Sequence, residues 1–308
     1  MEGVIIPQSS GYKAELLLKM GPGRGLVFLF GLFLFFYFLV SLVMALLMAK
    51  MPDNMAGALR VATVLQDLMT FILPAVLTAM AVSRLPARFL FVDYALKLWP
   101  AVVAVATLYA AMPWMNCVIE WNRDITFPAG MEDIEDMLRS SEAAAEQFTN
   151  QILAGTSVGA LIVSICIVGL LAGLSEELFF RGAMLRLFTL TRMNIHCAIW
   201  LTAFVFSLMH FQFFGFVPRM LLGAFFGYLT WWSRCLWVPV IVHAVNNSTV
   251  VCATWTVKRQ GGQIDELAIN SSPGHWAMVV GSLLLTAIGL YFFWYITKRR
   301  HEPTSVES

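Results

Sequence analysis

Residues 173 to 182, GLSEELFFRG, place two adjacent glutamates and an arginine directly behind an apolar run that begins near residue 151. An ionisable side chain within hydrocarbon costs several kcal/mol unless it is paired or faces a wet cavity. How this stretch is read therefore decides the architecture. Of the 308 residues, 59% are hydrophobic and 13% charged, against roughly 25% charged in soluble domains. The chain reads as an all-α, polytopic membrane helix bundle, and the glutamates read as part of a polar cavity inside it. A net charge of +1 and the lack of a basic stripe interleaved with aromatics give no basis for a nucleic-acid partner. The five cysteines are scattered and form no Cys-x-x-Cys pair, which makes them small packing residues.

A span needs about 20 predominantly apolar residues. Runs near 25–49, 61–82, 98–119, 151–174, 197–216, 218–233, 236–257 and 275–297 predict about eight transmembrane helices. The fourth has room to run on through the glutamates. The chain divides into residues 1–150, a three-helix membrane region with an acidic loop, residues 151–300, the motif-bearing membrane core, and residues 301–308, a disordered tail. The N-terminus has no short apolar core followed by a small-residue cleavage site, so the first apolar run is expected to remain as a span. Lys13, Lys19 and Arg24, then Arg84, Arg88 and Lys97, then Arg181, Arg186 and Arg192, then Lys298, Arg299 and Arg300 all fall on one side of an even-numbered bundle. The positive-inside bias predicts a multi-pass cell-membrane protein with both termini cytoplasmic and the acidic segment Glu120 to Asn150 on the far side. That segment reads as an amphipathic, solvated cap.

Three polar groups do not belong in lipid. Glu177 and Arg181 are four apart, share a helix face and can neutralise each other. Glu176, turned about 100° from its neighbour, is left as the free carboxylate, and Ser175 with Gly173 offers a kink to aim it. His243 and Asn247 are likewise four apart and share a face, with Asn246 turned away. His210 shares a face with Phe206. Counted from the basic flanks at about 1.5 Å per residue, these groups are expected to meet in the half of the bundle nearer those flanks. Asp67 and Gln66, in the second span, are expected to reach water near its outer end.

A desolvated carboxylate beside two histidines and a carboxamide suits peptide hydrolysis. Glu176 activates a water, one of His210 and His243 shares the proton, and the other histidine with Asn247 donates to a developing oxyanion. The same groups suit a divalent metal such as zinc, with Glu176, His210 and His243 as the donors; no H-E-x-x-H, serine motif or aspartate pair is present. Two non-enzymatic readings compete, a membrane scaffold that binds a partner and a transporter using the cavity for permeation, although no inverted repeat is visible.

Glu176-Glu177-x-x-x-Arg181, Phe206-x-x-x-His210 and His243-x-x-x-Asn247 resemble, in order, the three motifs of the CPBP intramembrane proteases, which include the CAAX prenyl endopeptidases and the bacteriocin-immunity (Abi) proteins. The resemblance covers roughly residues 155 to 257. It implies an eight-helix fold around a wet cavity, with Glu176 as water-activating base assisted by His210, an oxyanion site at His243 and Asn247, and Glu177 and Arg181 in support. The family has been described both as metal-dependent and as glutamate-dependent. Its eukaryotic members cut after a prenylated cysteine, so the implied partner is a peptide or lipid-anchored protein in the bilayer, and the alternative is an immunity protein that keeps the motifs without catalysis.

Overall fold

The structure is a computed structural model that describes residues 19–262 and 276–298. Lys13, Arg299, Arg300 and the expected disordered tail 301–308 lie outside the described residues. Helices are the only regular elements among the described residues, and seven of them are long and apolar enough to cross a membrane. In chain order the elements are α1 (Pro22–Lys50), α2 (Met55–Val82), α3 (Leu98–Arg123), α4 (Glu132–Ile152), α5 (Val158–Leu190), α6 (Ile195–Leu208), α7 (Phe216–Ser233), α8 (Trp237–Gln260) and α9 (Trp276–Lys298). The protein is an all-α, multi-pass membrane protein.

Local chemistry sets the helix ends. Asn54 and Ser157 cap α2 and α5 by accepting from the backbone N–H groups of Gly57 and Ala160. Helix α8 stops at Gly261, whose φ of 76° is the left-handed conformation that glycine adopts without a Cβ penalty. The fourth expected span does run on through the glutamates: α5 has 33 residues, about 50 Å of helix. It is not broken at Gly173 or Ser175. Two wider, π-helical stretches, Ile165–Leu171 and Leu178–Met184, flank the α-helical turn that carries Glu176 and Glu177, and such bulges rotate the side chains that follow them.

The fifth expected span, 197–216, needs correction. Helix α6 has 14 residues and ends at Leu208, so it rises about 21 Å, short of the roughly 30 Å hydrocarbon thickness. The turn that follows is held by protein contacts, although Phe211 in it is exposed. It is covered by α4, whose Glu142 carboxylate accepts from Gln212 Nε2 at 3.2 Å and from the Phe214 N–H at 3.3 Å. Ser141 Oγ donates to the Phe211 carbonyl, and the Arg139 guanidinium lies 4.3 Å from the Phe214 ring centre. Non-helical backbone at membrane depth requires this kind of protein cover. The acidic helix is therefore docked along one side, and Arg60 of α2 and Lys258 of α8 tie its C-terminal end by donating to the carbonyls of Ile152 and Asn150.

Helix α8 also begins below the surface, on the segment that follows the one-turn helix Pro86–Phe89. The Leu236 N–H donates to the Phe91 carbonyl and Trp237 Nε1 donates to the Val92 carbonyl. The core under the site is aromatic and tightly closed, with Phe33, Phe71 and Phe179 within 6 Å of one another by ring centre. Two close helix approaches hold the remaining walls. A Cβ on Gly173 would lie 3.1 Å from the backbone nitrogen of Ala244, and one on Gly223 would lie 3.2 Å from the Cα of Ala203. Small residues let α5 meet α8, and α6 meet α7, almost backbone to backbone. Replacing Gly173 with valine is expected to force α5 from α8 and to cost about 1–3 kcal/mol through overpacking, read as a lowered unfolding midpoint in detergent.

Candidate active site

The chain buries a complete ion pair. Glu177 and Arg181 are both inaccessible to solvent, and Arg181 Nη1 donates to Glu177 Oε1 at 2.8 Å. Arg181 Nη2 donates to the carbonyl of Gly223 on α7 at 2.7 Å. The guanidinium carbon lies 4.7 Å from the ring centre of Phe206 and 5.3 Å from that of Phe226, within cation–π range. One arginine thus links α5, α6 and α7. Glu177 Oε1 also accepts from His243 Nδ1 at 2.8 Å, which brings in α8.

These bonds fix the imidazole. Glu177 lies opposite a guanidinium and is an acceptor, so the proton on the His243 atom that faces it must be on Nδ1, and a neutral ring presents its Nε2 lone pair outward. That Nε2 lies 3.7 Å from Glu176 Oε2. The Phe226 ring stacks on the imidazole, 4.8 Å between centres and 25° between planes, and keeps it from turning. His210 follows the same logic. Its Nδ1 lies 2.8 Å from the Phe206 carbonyl, an acceptor, so Nδ1 donates and Nε2 is left free. The Phe206 ring packs edge-on beside it at 5.0 Å.

Glu176 is the more open of the two carboxylates, its side chain 16% exposed against 0% for Glu177. It lines a cavity of about 600 Å³ with His210, His243, Asn246 and Asn247. Asn247 Nδ2 donates to the Val168 carbonyl at 3.1 Å and its Oδ1 accepts from Asn246 Nδ2 at 3.3 Å. The structure brings together all four residues singled out for chemistry, and Glu177 and Arg181 stand behind them.

Several expectations need correction. Asn246, read as turned away, lines the cavity with Asn247. The cavity extends beyond the meeting point of these groups: its walls climb α3 from Leu108 to Ile119 and α8 from His243 to Ala253, toward the acidic segment. The cause is the two helix ends, a short α6 that stops at Leu208 and an α8 that starts beside the buried Leu236. Asp67 does not reach water. It is 4% exposed, and Ser175 Oγ donates to it at 3.0 Å.

Two cavity residues escaped the sequence reading, Asn116 on α3 and Arg219 on α7. Each is a polar residue inside an apolar helix, the same signal that marked Glu176. Arg219 has no polar partner at helical spacing, whereas Asn116 has Glu120 four residues on, a signal that could have found it. The possible metal donors Glu176, His210 and His243 do not close into a cluster that would hold an ion, and no group of three or more His, Cys, Asp and Glu does so among the described residues.

The two carboxylates should separate by mutation. Arg181→Met leaves Glu177 as an uncompensated buried charge and is expected to cost about 3–5 kcal/mol. Glu176→Gln keeps shape and hydrogen bonding at a partly open position, and is expected to change stability by less than about 1 kcal/mol. Unfolding midpoints of the two variants in detergent check this contrast.

Comparison with known proteins bears on the segment that builds the site. No curated protein and no solved structure matches the chain. Residues 157–249 match the Rce1-like family model, type II CAAX prenyl endopeptidase. That range begins at the cap of α5 and ends on α8 two residues beyond Asn247, so it contains all three motifs and every residue of the ion-paired network. The segment that carries Glu176, His210, His243 and Asn247 is thus similar to the type II CAAX prenyl endopeptidases.

Proposed function

We propose that the protein is an intramembrane endopeptidase that hydrolyses a peptide bond of a membrane-associated or lipid-anchored substrate by a glutamate-activated water. The observation that carries this reading is the division of labour between adjacent carboxylates. Glu177 is neutralised by Arg181 and holds His243, while Glu176 forms no ion pair with a guanidinium and faces the shared cavity. With neutral imidazoles, Glu176 Oε2 and His243 Nε2 are two acceptors 3.7 Å apart, suited to orient one water that donates to both.

In the reaction, the water oxygen attacks the substrate carbonyl carbon as Glu176 takes its proton. The tetrahedral species then collapses, the C–N bond breaks, and Glu176 returns the proton to the departing amine nitrogen. His210, with its Nε2 free, assists that transfer. On this reading one role differs. A neutral His243 whose Nδ1 serves Glu177 offers a lone pair and not a donor to the cavity, so it acts with Glu176 on the water. The oxyanion falls to Asn247, whose amide has a second N–H beyond the one bound to Val168.

Glu176→Gln is expected to retain the fold and to lower cleavage by about 10²–10⁴-fold, measured on a fluorogenic peptide ending in a farnesylated C-a-a-X sequence. Full activity in that variant would remove Glu176 as the base and favour a scaffold or immunity protein. Hydrolysis by the chain's own groups also predicts an unchanged rate after exhaustive chelation. Loss restored by one divalent metal would instead assign Glu176, His210 and His243 as ligands.

The lysine and arginine bias supports cytoplasmic termini, with the cavity then extending from mid-membrane toward the opposite face. A reporter inserted between residues 124 and 131 is expected to read as non-cytoplasmic. A cytoplasmic signal would invert the whole bundle.

A further inference from the structure

Arg219, near the start of α7, has no part in the reaction described above, yet it lines the same cavity. Its Nη2 donates to Gln212 Oε1 at 2.7 Å. Gln212 in turn donates from Nε2 to Glu142 on α4 at 3.2 Å, so the guanidinium is fixed through a relay and not by direct contact with a carboxylate. It lies close against the backbone of Gly215, where an added Cβ would come within 3.1 Å of Nη2.

The other terminal nitrogen, Nη1, is buried and has no hydrogen-bond partner. Glu142 and Glu176 are both within electrostatic reach of Arg219, and neither forms an ion pair with it. Other buried polar atoms without a partner, such as Asp67 Oδ2, Glu177 Oε2 and Arg181 Nε, belong to residues away from the cavity wall, whereas Arg219 is part of that wall. Arg219 shares that wall with apolar groups such as Leu108, Met112, Met115 and Leu222 and with the polar groups around Glu176. A buried, charged N–H left without an acceptor costs a few kcal/mol, and an incoming anion would recover it.

We propose that Arg219 is the carboxylate-binding residue of this cavity, holding a substrate carboxylate through Nη1 while Gln212 and Glu142 hold the guanidinium from behind. The proposal rests on the peptide-hydrolysis reading, because a peptide brings two kinds of carboxylate, its terminal one and those of acidic side chains. The Arg219 site is specificity-determining: it selects which peptide enters and in what register, and the bond is broken at Glu176.

The test uses the full chain in detergent and two pairs of farnesylated C-a-a-X peptides. The first pair differs only in a free or an amidated C-terminus. The second pair is amidated throughout and differs in glutamate or glutamine as the last residue. In the parent protein, the carboxylate-bearing member of at least one pair is expected to be cleaved with a kcat/KM roughly tenfold or more above its neutral partner, carried mainly by KM. The pair that discriminates identifies the source of the carboxylate. Arg219→Gln is expected to bring that ratio toward one, and Arg219→Lys to keep part of it.

Equal cleavage within both pairs by the parent, or an undiminished ratio in Arg219→Gln, overturns the proposal. If the parent cleaves none of the peptides, the protease reading is what fails for this substrate class. Binding of the same peptides to the Glu176→Gln protein, followed by fluorescence anisotropy, then decides the carboxylate site separately. A preference of roughly tenfold for a carboxylate that disappears when Arg219→Gln is added supports it, and equal binding or none refutes it.

Discussion

The bond between Glu177 and Arg181 is the constraint around which this half of the molecule is organised. Neither group touches solvent, so each would be severely destabilised alone. Together they form a neutral unit whose spare hydrogen-bonding capacity points outward to the Gly223 carbonyl and to His243. Helices α5, α7 and α8 are held to one another through this single charged pair, and Phe206 of α6 packs on its guanidinium. The pair also determines the chemistry. By using up one carboxylate of an adjacent two, it leaves the other facing the cavity, and by fixing His243 Nδ1 it turns Nε2 toward that carboxylate.

Depth is the second organising feature. A helix of 14 residues is too short to cross the hydrocarbon by itself, and the acidic helix α4 holds the turn bearing His210 with polar contacts from Ser141 and Glu142. The same cover fixes Gln212 and, through it, Arg219. What looks on the sequence like a solvated acidic cap is thus also the roof of the site. At the other end, the segment around Phe91 and Val92 forms the floor on which α8 begins. Between these two supports, α3, α5, α7 and α8 wall a chamber that reaches from Glu176 toward the acidic segment.

Much of this was legible in the residues themselves. Long apolar runs identify spans because a bilayer tolerates little else, and a charge inside such a run has few structural excuses. Spacing of four along a helix identified Glu177 with Arg181 and His243 with Asn247, because residues four apart lie one turn above each other. Those rules are local, and the sequence alone was enough to apply them. The bundle architecture and the distinction between Glu176 and Glu177 followed.

Other features are relations between helices, and no local rule reaches them. That α6 stops at Leu208, that Asp67 is buried against Ser175 and that Asn246 turns into the cavity beside Asn247 all depend on which surfaces meet across the bundle. The same is true of Arg219, whose partners lie seven residues back and, through Gln212, on α4. The sequence by itself determined that this is a membrane helix bundle with a paired and an unpaired carboxylate, because helical periodicity and the cost of charge in lipid act on neighbouring residues. Tertiary packing alone decided where the cavity lies, which nitrogen each histidine offers to it and which arginine lines it, because those follow from contacts between residues far apart in the chain.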